Sequence, residues 1–128
     1  MKVIGEDIKK GEFKSVYLLY GEEEYLKKQY RDRLKEAITG DDTMNYSYFD
    51  GDNANVRDII DVCETMPFFS EKRLVVMENT GFLKSSNDQL ADYIKNIPDY
   101  LIMVLVEKEI DKRNKVFKAI DAAGYVCE

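Results

Sequence analysis

Short apolar runs alternate with periodic charged segments along the whole chain. That alternation predicts βαβ units folded into a largely parallel sheet. The first run, Val16–Tyr20 (VYLLY), is closed by Gly21 and reads as a strand buried on both faces. From about Glu22 to Ile38, the residues Leu26, Tyr30, Leu34 and Ala37 recur at helical spacing and predict a helix that packs this face on the sheet. Glu23 with Lys27 and Glu24 with Lys28 are favourably ordered i,i+4 pairs, and Thr39-Gly40-Asp41-Asp42 ends the helix. Asn45–Phe49 (NYSYF) predicts a second strand, followed by Asp50-Gly51-Asp52-Asn53, which offers N-caps for the next helix. In that helix Val56, Ile59, Ile60 and Cys63 share one face, which places Cys63 in the core. Beyond Pro67, Leu74–Glu78 (LVVME) predicts a third strand with its exit at Asn79-Thr80-Gly81. A weaker helix over Asn87–Asn96 leads through Pro98 to the most hydrophobic run, Tyr100–Val106 (YLIMVLV). Lys112–Ala123 predicts a last helix, with Val116, Phe117 and Ile120 inward and Gly124 as its stop, before a fifth strand at Tyr125-Val126-Cys127.

The pattern contains no internal repeat, low-complexity stretch or linker, so 128 residues with 45% hydrophobic positions read as one domain. A chain that stops on a strand reads either as a small complete sheet or, the favoured reading, as the N-terminal piece of something longer. A net charge of −6, from 19 basic and 25 acidic residues, argues against holding a phosphate backbone by bulk electrostatics. Without histidine the chain lacks the commonest general base and a principal zinc ligand. Cys63 and Cys127 form neither a CxxC pair nor a disulfide framework, which fits a reducing cytoplasm. The N-terminal MKVIGEDIKKGEF has no apolar signal region, and Leu101–Val106 is too short to span a bilayer, so the expected protein is soluble and has no membrane partner.

In an α/β fold the first strand-to-helix turn is where a phosphate loop would sit. Here it reads Tyr20-Gly21-Glu22-Glu23-Glu24-Tyr25-Leu26-Lys27-Lys28, without GxxxxGK[ST] and with three carboxylates where phosphate oxygens would approach. The end of the third strand, Glu78, resembles the acid that holds Mg²⁺ in ATPases, against the plainer reading of a buried strand ending in a solvated glutamate. A degenerate nucleotide-binding or phosphotransfer enzyme is the alternative these positions argue against. A receiver-like signalling domain fits less well, because the third strand ends in Glu78-Asn79 where a phosphorylatable Asp is needed. Asp50, Asp52, Asp58 and Asp61 lack the spacing and distal Glu of a calcium loop and read as turn and capping residues. No cofactor and no metal are expected.

Between the third helix and the third strand, Thr65-Met66-Pro67-Phe68-Phe69-Ser70-Glu71-Lys72-Arg73 carries Met, Pro and two adjacent aromatics where a connection is normally polar. Either these rings plug the domain's own core, or they form an exposed hydrophobic projection. One Phe buried in a partner pocket contributes about 1.5–3 kcal/mol, so so short a segment can dominate an interface. Lys112, Arg113, Lys115 and Lys118 form a basic stretch that reads as a solvated helix face, with contact to a neighbouring subunit or DNA as the other reading.

Three ordered blocks carry a family resemblance: Val16–Leu26 (VYLLYGEEEYL), Thr65–Val76 (TMPFFSEKRLVV) and Asp111–Ile120 (DKRNKVFKAI). Together they resemble the N-terminal domain of the bacterial DNA polymerase III delta subunit. The resemblance implies a three-layer α/β, AAA+-like domain with five largely parallel strands, helices on both faces and no functional phosphate loop. The lid and collar domains of the full-length family protein would lie outside residues 1–128. It also implies a non-catalytic role in DNA replication as the wrench of the clamp loader, in which a hydrophobic projection enters the β sliding clamp and favours its open form. The other clamp-loader subunits, gamma/tau and delta-prime, would be partners and would control exposure of the projection through ATP. DNA would be met indirectly or through the absent domains. Carried over by position, Met66, Pro67, Phe68 and Phe69 would be the projection. The family often shows an aliphatic residue followed by Phe, which points to Pro67-Phe68 as the equivalent pair; the proline departs from that pattern, and the departure leaves open whether Phe68 or Phe69 inserts.

Overall fold

The computed structural model describes residues 2–51, 55–85 and 87–127. Its elements run α1 (Lys2–Lys10), β1 (Val16–Tyr20), α2 (Glu24–Ile38), β2 (Tyr46–Asp50), α3 (Val56–Cys63), β3 (Arg73–Glu78), α4 (Asp88–Ile94), β4 (Leu101–Glu107), α5 (Lys115–Ala123) and β5 (Tyr125–Cys127). The strands form one sheet in the order β2-β3-β4-β1-β5, with all four pairings parallel. The α/β class, strand count and parallel pairing are those expected from the alternating pattern.

Strand side chains alternate between two cores. Val16, Leu18, Val75, Met77, Met103 and Leu105 pack under α3, α4 and α5, while Tyr17, Leu19, Leu74, Val76, Ile102 and Val104 pack under α1 and α2. Central strands thus bury both faces, which is why β1, β3 and β4 are continuous apolar runs. Because every strand points the same way, the loops entering strands gather at one edge of the sheet and the loops leaving them at the other. Here these are called the amino and carboxyl edges.

The structure revises several local expectations. Helix α1, not foreshadowed by the pattern, docks through Ile4 and a buried polar knot in which the Tyr17 hydroxyl donates to Asp7 at 2.7 Å and the Lys14 ammonium pairs with Asp7 at 3.0 Å. On α2 the buried residues are Lys27 and Leu34, whereas Leu26 and Ala37 face solvent. The helix is rotated so that long basic stems lie along the sheet and deliver their charges to polar groups at its edge. Of the two expected ion pairs, Lys27 is instead joined to Glu24, three residues earlier, at 2.9 Å. Helix α5 begins at Lys115 because Asn114 caps it, its Oδ1 accepting from Val116 and Phe117. Asn55 caps α3 in the same way. Asp52 and Asn53, expected as turn and capping residues, lie outside the described residues. Gly124 closes α5 at φ −149°, ψ −135°, and the space there requires glycine: a Cβ would stand 1.9 Å from the Val16 carbonyl oxygen.

Candidate partner-binding site

The segment between α3 and β3 lies at the amino edge and turns its apolar side chains outward. Phe69 is 94% exposed, Met66 74% and Phe68 51%, whereas Pro67 is half-buried. The core-plug reading of the two rings therefore does not hold. Their centroids lie 4.3 Å apart with an interplanar angle of 69°, so each ring braces the other edge to face. Phe69 sits at φ 55°, in the left-handed region that a bulky side chain rarely adopts.

Buried polar groups hold this segment from below. Asn45, fully buried just before β2, accepts the Phe68 N–H at 2.6 Å through Oδ1 and donates through Nδ2 to the Phe68 carbonyl at 2.7 Å. Its amide also donates to Asp42 at 2.6 Å. That bond, with the backbone N–H groups of Met44 and Asn45, holds the Asp42 carboxyl below the usual carboxylate range. Arg73, the buried first residue of β3, donates from Nε to the Thr65 carbonyl at 2.7 Å. The segment is thus pinned at Thr65 and Phe68, with its apolar tips free. A surface fixed in this way loses little conformational entropy when a partner binds.

The carboxyl edge, where a phosphate loop would lie, is filled by the chain's own charges. Glu22, Glu23 and Glu24 are exposed at the start of α2, and Glu23 provides no side-chain cap. The buried Lys27 ammonium donates to Glu24 at 2.9 Å and to the Glu107 carbonyl at 3.4 Å. The Glu107 carboxylate accepts the backbone N–H groups of Thr80 at 3.1 Å and Gly81 at 3.0 Å, and burial pushes its pKa up against those bonds. Glu78 is buried, not solvated: Arg31 pairs with one oxygen and the Tyr48 hydroxyl donates to the other at 2.7 Å. Burial and this bond raise the Tyr48 pKa. A cleft of about 760 Å³ here is lined by Gly21, Glu22, Lys84, Lys108 and Glu109, and Lys84 is already paired with Glu109 at 2.8 Å.

A family model described as DNA polymerase III, delta subunit, matches residues 17–128. The chain belongs to the DNA polymerase III delta subunit family. It is 30% identical to the DNA polymerase III subunit delta of Bacillus subtilis (strain 168), over 98% of this chain and 40% of that relative. The solved Bacillus subtilis DNA clamp loader delta protein superposes with a TM-score of 0.88 at 31% identity, covering 99% of this chain and 41% of the other. A gamma subunit-related protein from Thermotoga maritima gives a TM-score of 0.68 at 15% identity over 98% of this chain and 44% of that one, a likeness of fold alone. This chain spans about two-fifths of the length of these delta relatives.

Of the predicted site residues in this delta-family chain, Met66, Phe68 and Phe69 project together while Pro67 forms the shoulder beneath them. Asp50, Asp58 and Asp61 do not converge, and among the described residues no group of three or more His, Cys, Asp or Glu is placed to hold a metal. Asp52 lies outside those residues. Among the described residues no helix is long and apolar enough to cross a membrane. In the Asp111 block, Arg113 folds back on Asp111 at 3.2 Å and Lys115 pairs with Asp88 at 3.3 Å. The supporting roles of Asn45 and Arg73 are not displayed by the apolar pattern, although an arginine opening an apolar strand is a visible signal of a buried, partnered charge.

Proposed function

We propose that this chain is the N-terminal AAA+-like domain of a clamp-loader delta subunit. In this reading it engages the β sliding clamp through Met66–Phe69 and favours the open clamp during loading onto DNA. The observation that carries the reading is the Phe69 ring, 94% exposed on a segment pinned by Asn45 and Arg73. An apolar group so displayed supplies binding energy only when a partner pocket removes it from water. The exposures favour Phe68-Phe69 over Pro67-Phe68 as the inserted pair, with Phe69 at the tip. Opening then needs no chemistry in this domain. A projection that binds the open clamp more tightly than the closed one shifts the equilibrium by that difference in affinity. The domain is non-catalytic in this reading, acts in the cytoplasm beside gamma/tau and delta-prime, and meets DNA through the clamp or through the remainder of the subunit.

The test is titration calorimetry of the chain against its cognate β clamp beside Phe68→Ala and Phe69→Ala. Each Phe→Ala should weaken binding by roughly 10-fold or more, as expected for about 1.5–3 kcal/mol of buried ring, with the larger loss at Phe69. Unchanged affinity in both folded variants would remove the projection from the interface.

A further inference from the structure

The amino edge carries a second exposed apolar side chain that the projection does not include. Met44 is 61% exposed, in the loop that enters β2. Strands β2 and β3 are neighbours in register, with Tyr46 opposite Leu74, and the Leu74 N–H donates to the Asn45 carbonyl at 2.9 Å. The loops that precede them are therefore neighbours too. One guanidinium bridges these loops: Arg73 donates to the Thr65 carbonyl at 2.7 Å and to the Met44 carbonyl at 3.5 Å. Met44 and Met66 thus each adjoin a carbonyl bound to the same side chain. The next residue, Asn45, holds Phe68 by both backbone groups. The Met44 N–H also donates to Asp42 at 2.9 Å, which ties the backbone of this loop locally.

Other large apolar side chains exposed among the described residues lie elsewhere. Tyr25 and Leu26 sit on the first turn of α2 at the carboxyl edge, and Tyr48, in the middle of β2, donates to Glu78 at the carboxyl end of β3. Among these exposed side chains of the described residues, Met44 is the one whose loop is tied through Arg73 to the loop of Met66, Phe68 and Phe69. A thioether on three rotatable bonds suits the border of an interface, since it adapts to the rim around an inserted ring and excludes water from it.

We infer that Met44 is a second apolar contact for the same partner, so that the sliding clamp is met by two adjacent loops locked together through Asn45 and Arg73. This rests on the reading that Met66–Phe69 engages the clamp. The test is calorimetry of the chain against its cognate clamp with Met44→Ala, Met44→Asp and Met44→Leu, beside Phe69→Ala and the remote control Tyr25→Ala. Met44→Ala should weaken binding by about 5- to 10-fold, as hydrophobic truncation at an interface border does. Met44→Asp should weaken it further, Met44→Leu should retain it, and Tyr25→Ala should leave it unchanged, all at unaltered melting temperature. If Phe69→Ala lowers affinity while Met44→Ala and Met44→Asp bind like the parent, the inference fails and the clamp reading stands. If the parent chain does not bind the clamp, both fall together. Sedimentation that reveals dimers of the parent dissolved by Met44→Asp would overturn the inference in favour of a second copy of this chain as the occupant.

Discussion

Asn45 bonds both backbone groups of a single residue in another loop, taking the Phe68 N–H at 2.6 Å and giving a hydrogen bond to its carbonyl at 2.7 Å. Asn45→Ala removes both bonds without touching any exposed apolar group. Leaving these groups unpaired in the folded state should lower stability by about 1–3 kcal/mol. Partner binding should weaken as well, because the projection must then be ordered on association. Urea denaturation and calorimetry on the same variant check the two effects. A variant as stable as the parent would show that the amide does not anchor the loop.

Phe69 separates the needs of the fold from those of the partner. Its left-handed backbone, φ 55°, disfavours a bulky residue by about 1–2 kcal/mol, and its 94% exposed ring contributes little burial in return. Asparagine tolerates this conformation, so Phe69→Asn should be at least as stable as the parent in thermal denaturation and yet lose affinity for the clamp. A fall in both would mean that the ring packs on its own domain.

Gly124→Ala probes the junction of α5 and β5. A Cβ 1.9 Å from the Val16 carbonyl oxygen must displace the backbone of a central strand, and the glycine itself has no left-handed conformation to protect. The expected loss is about 3 kcal/mol or more, at the upper end of overpacking penalties, read as a drop in the urea midpoint. A near-neutral result would place β5 differently against β1.

Burial pushes the Cys63 thiol up to about 12, with the neighbouring Glu64 adding to the effect. The unfolded thiol ionises near its ordinary value of about 8.5, so the folded state holds the proton over the interval between the two values. Stability is therefore fully present below about pH 8.5 and declines above it, at a limiting slope of about 1.4 kcal/mol per pH unit. Tyr17, raised first by burial, adds a loss of the same sign above about pH 10. Urea midpoints from pH 7 to 10 should fall in the parent and stay flatter in Cys63→Ala. Parallel curves would remove the thiol from the alkaline limb.

Magnesium and ATP should leave the melting temperature unchanged. Lys27 is already engaged by Glu24 and the Glu107 carbonyl, and three glutamates open α2. A ligand at 100 times its Kd would stabilise the folded chain by about 2.7 kcal/mol, well within reach of thermal denaturation. A shift of that size would restore the nucleotide-binding alternative.

Strand positions were legible because β1, β3 and β4 are buried on both faces and so appear as unbroken apolar runs. Helix α1 was not, since it has a single fully buried apolar residue, Ile4, and docks partly through the charged Asp7. The inner face of α2 departs from the apolar periodicity for a related reason: that pattern does not register a lysine buried for its ammonium contacts. At the candidate site the apolar tips stood out against the polar composition expected of a loop. Their supports did not, because Asn45 and Arg73 reach the loop across strand pairing that a linear pattern does not display.

Strand β3 begins at Arg73, beneath the projection, and ends at Glu78, tied to Arg31 on α2. Six residues of extended chain span about 20 Å and lie between two paired neighbours, so the strand is a stiff strut through the middle of the sheet. The Arg73 end of that strand holds the loop that displays Phe69 and the Glu78 end is held by α2, so one central strand joins the supports of the two edges.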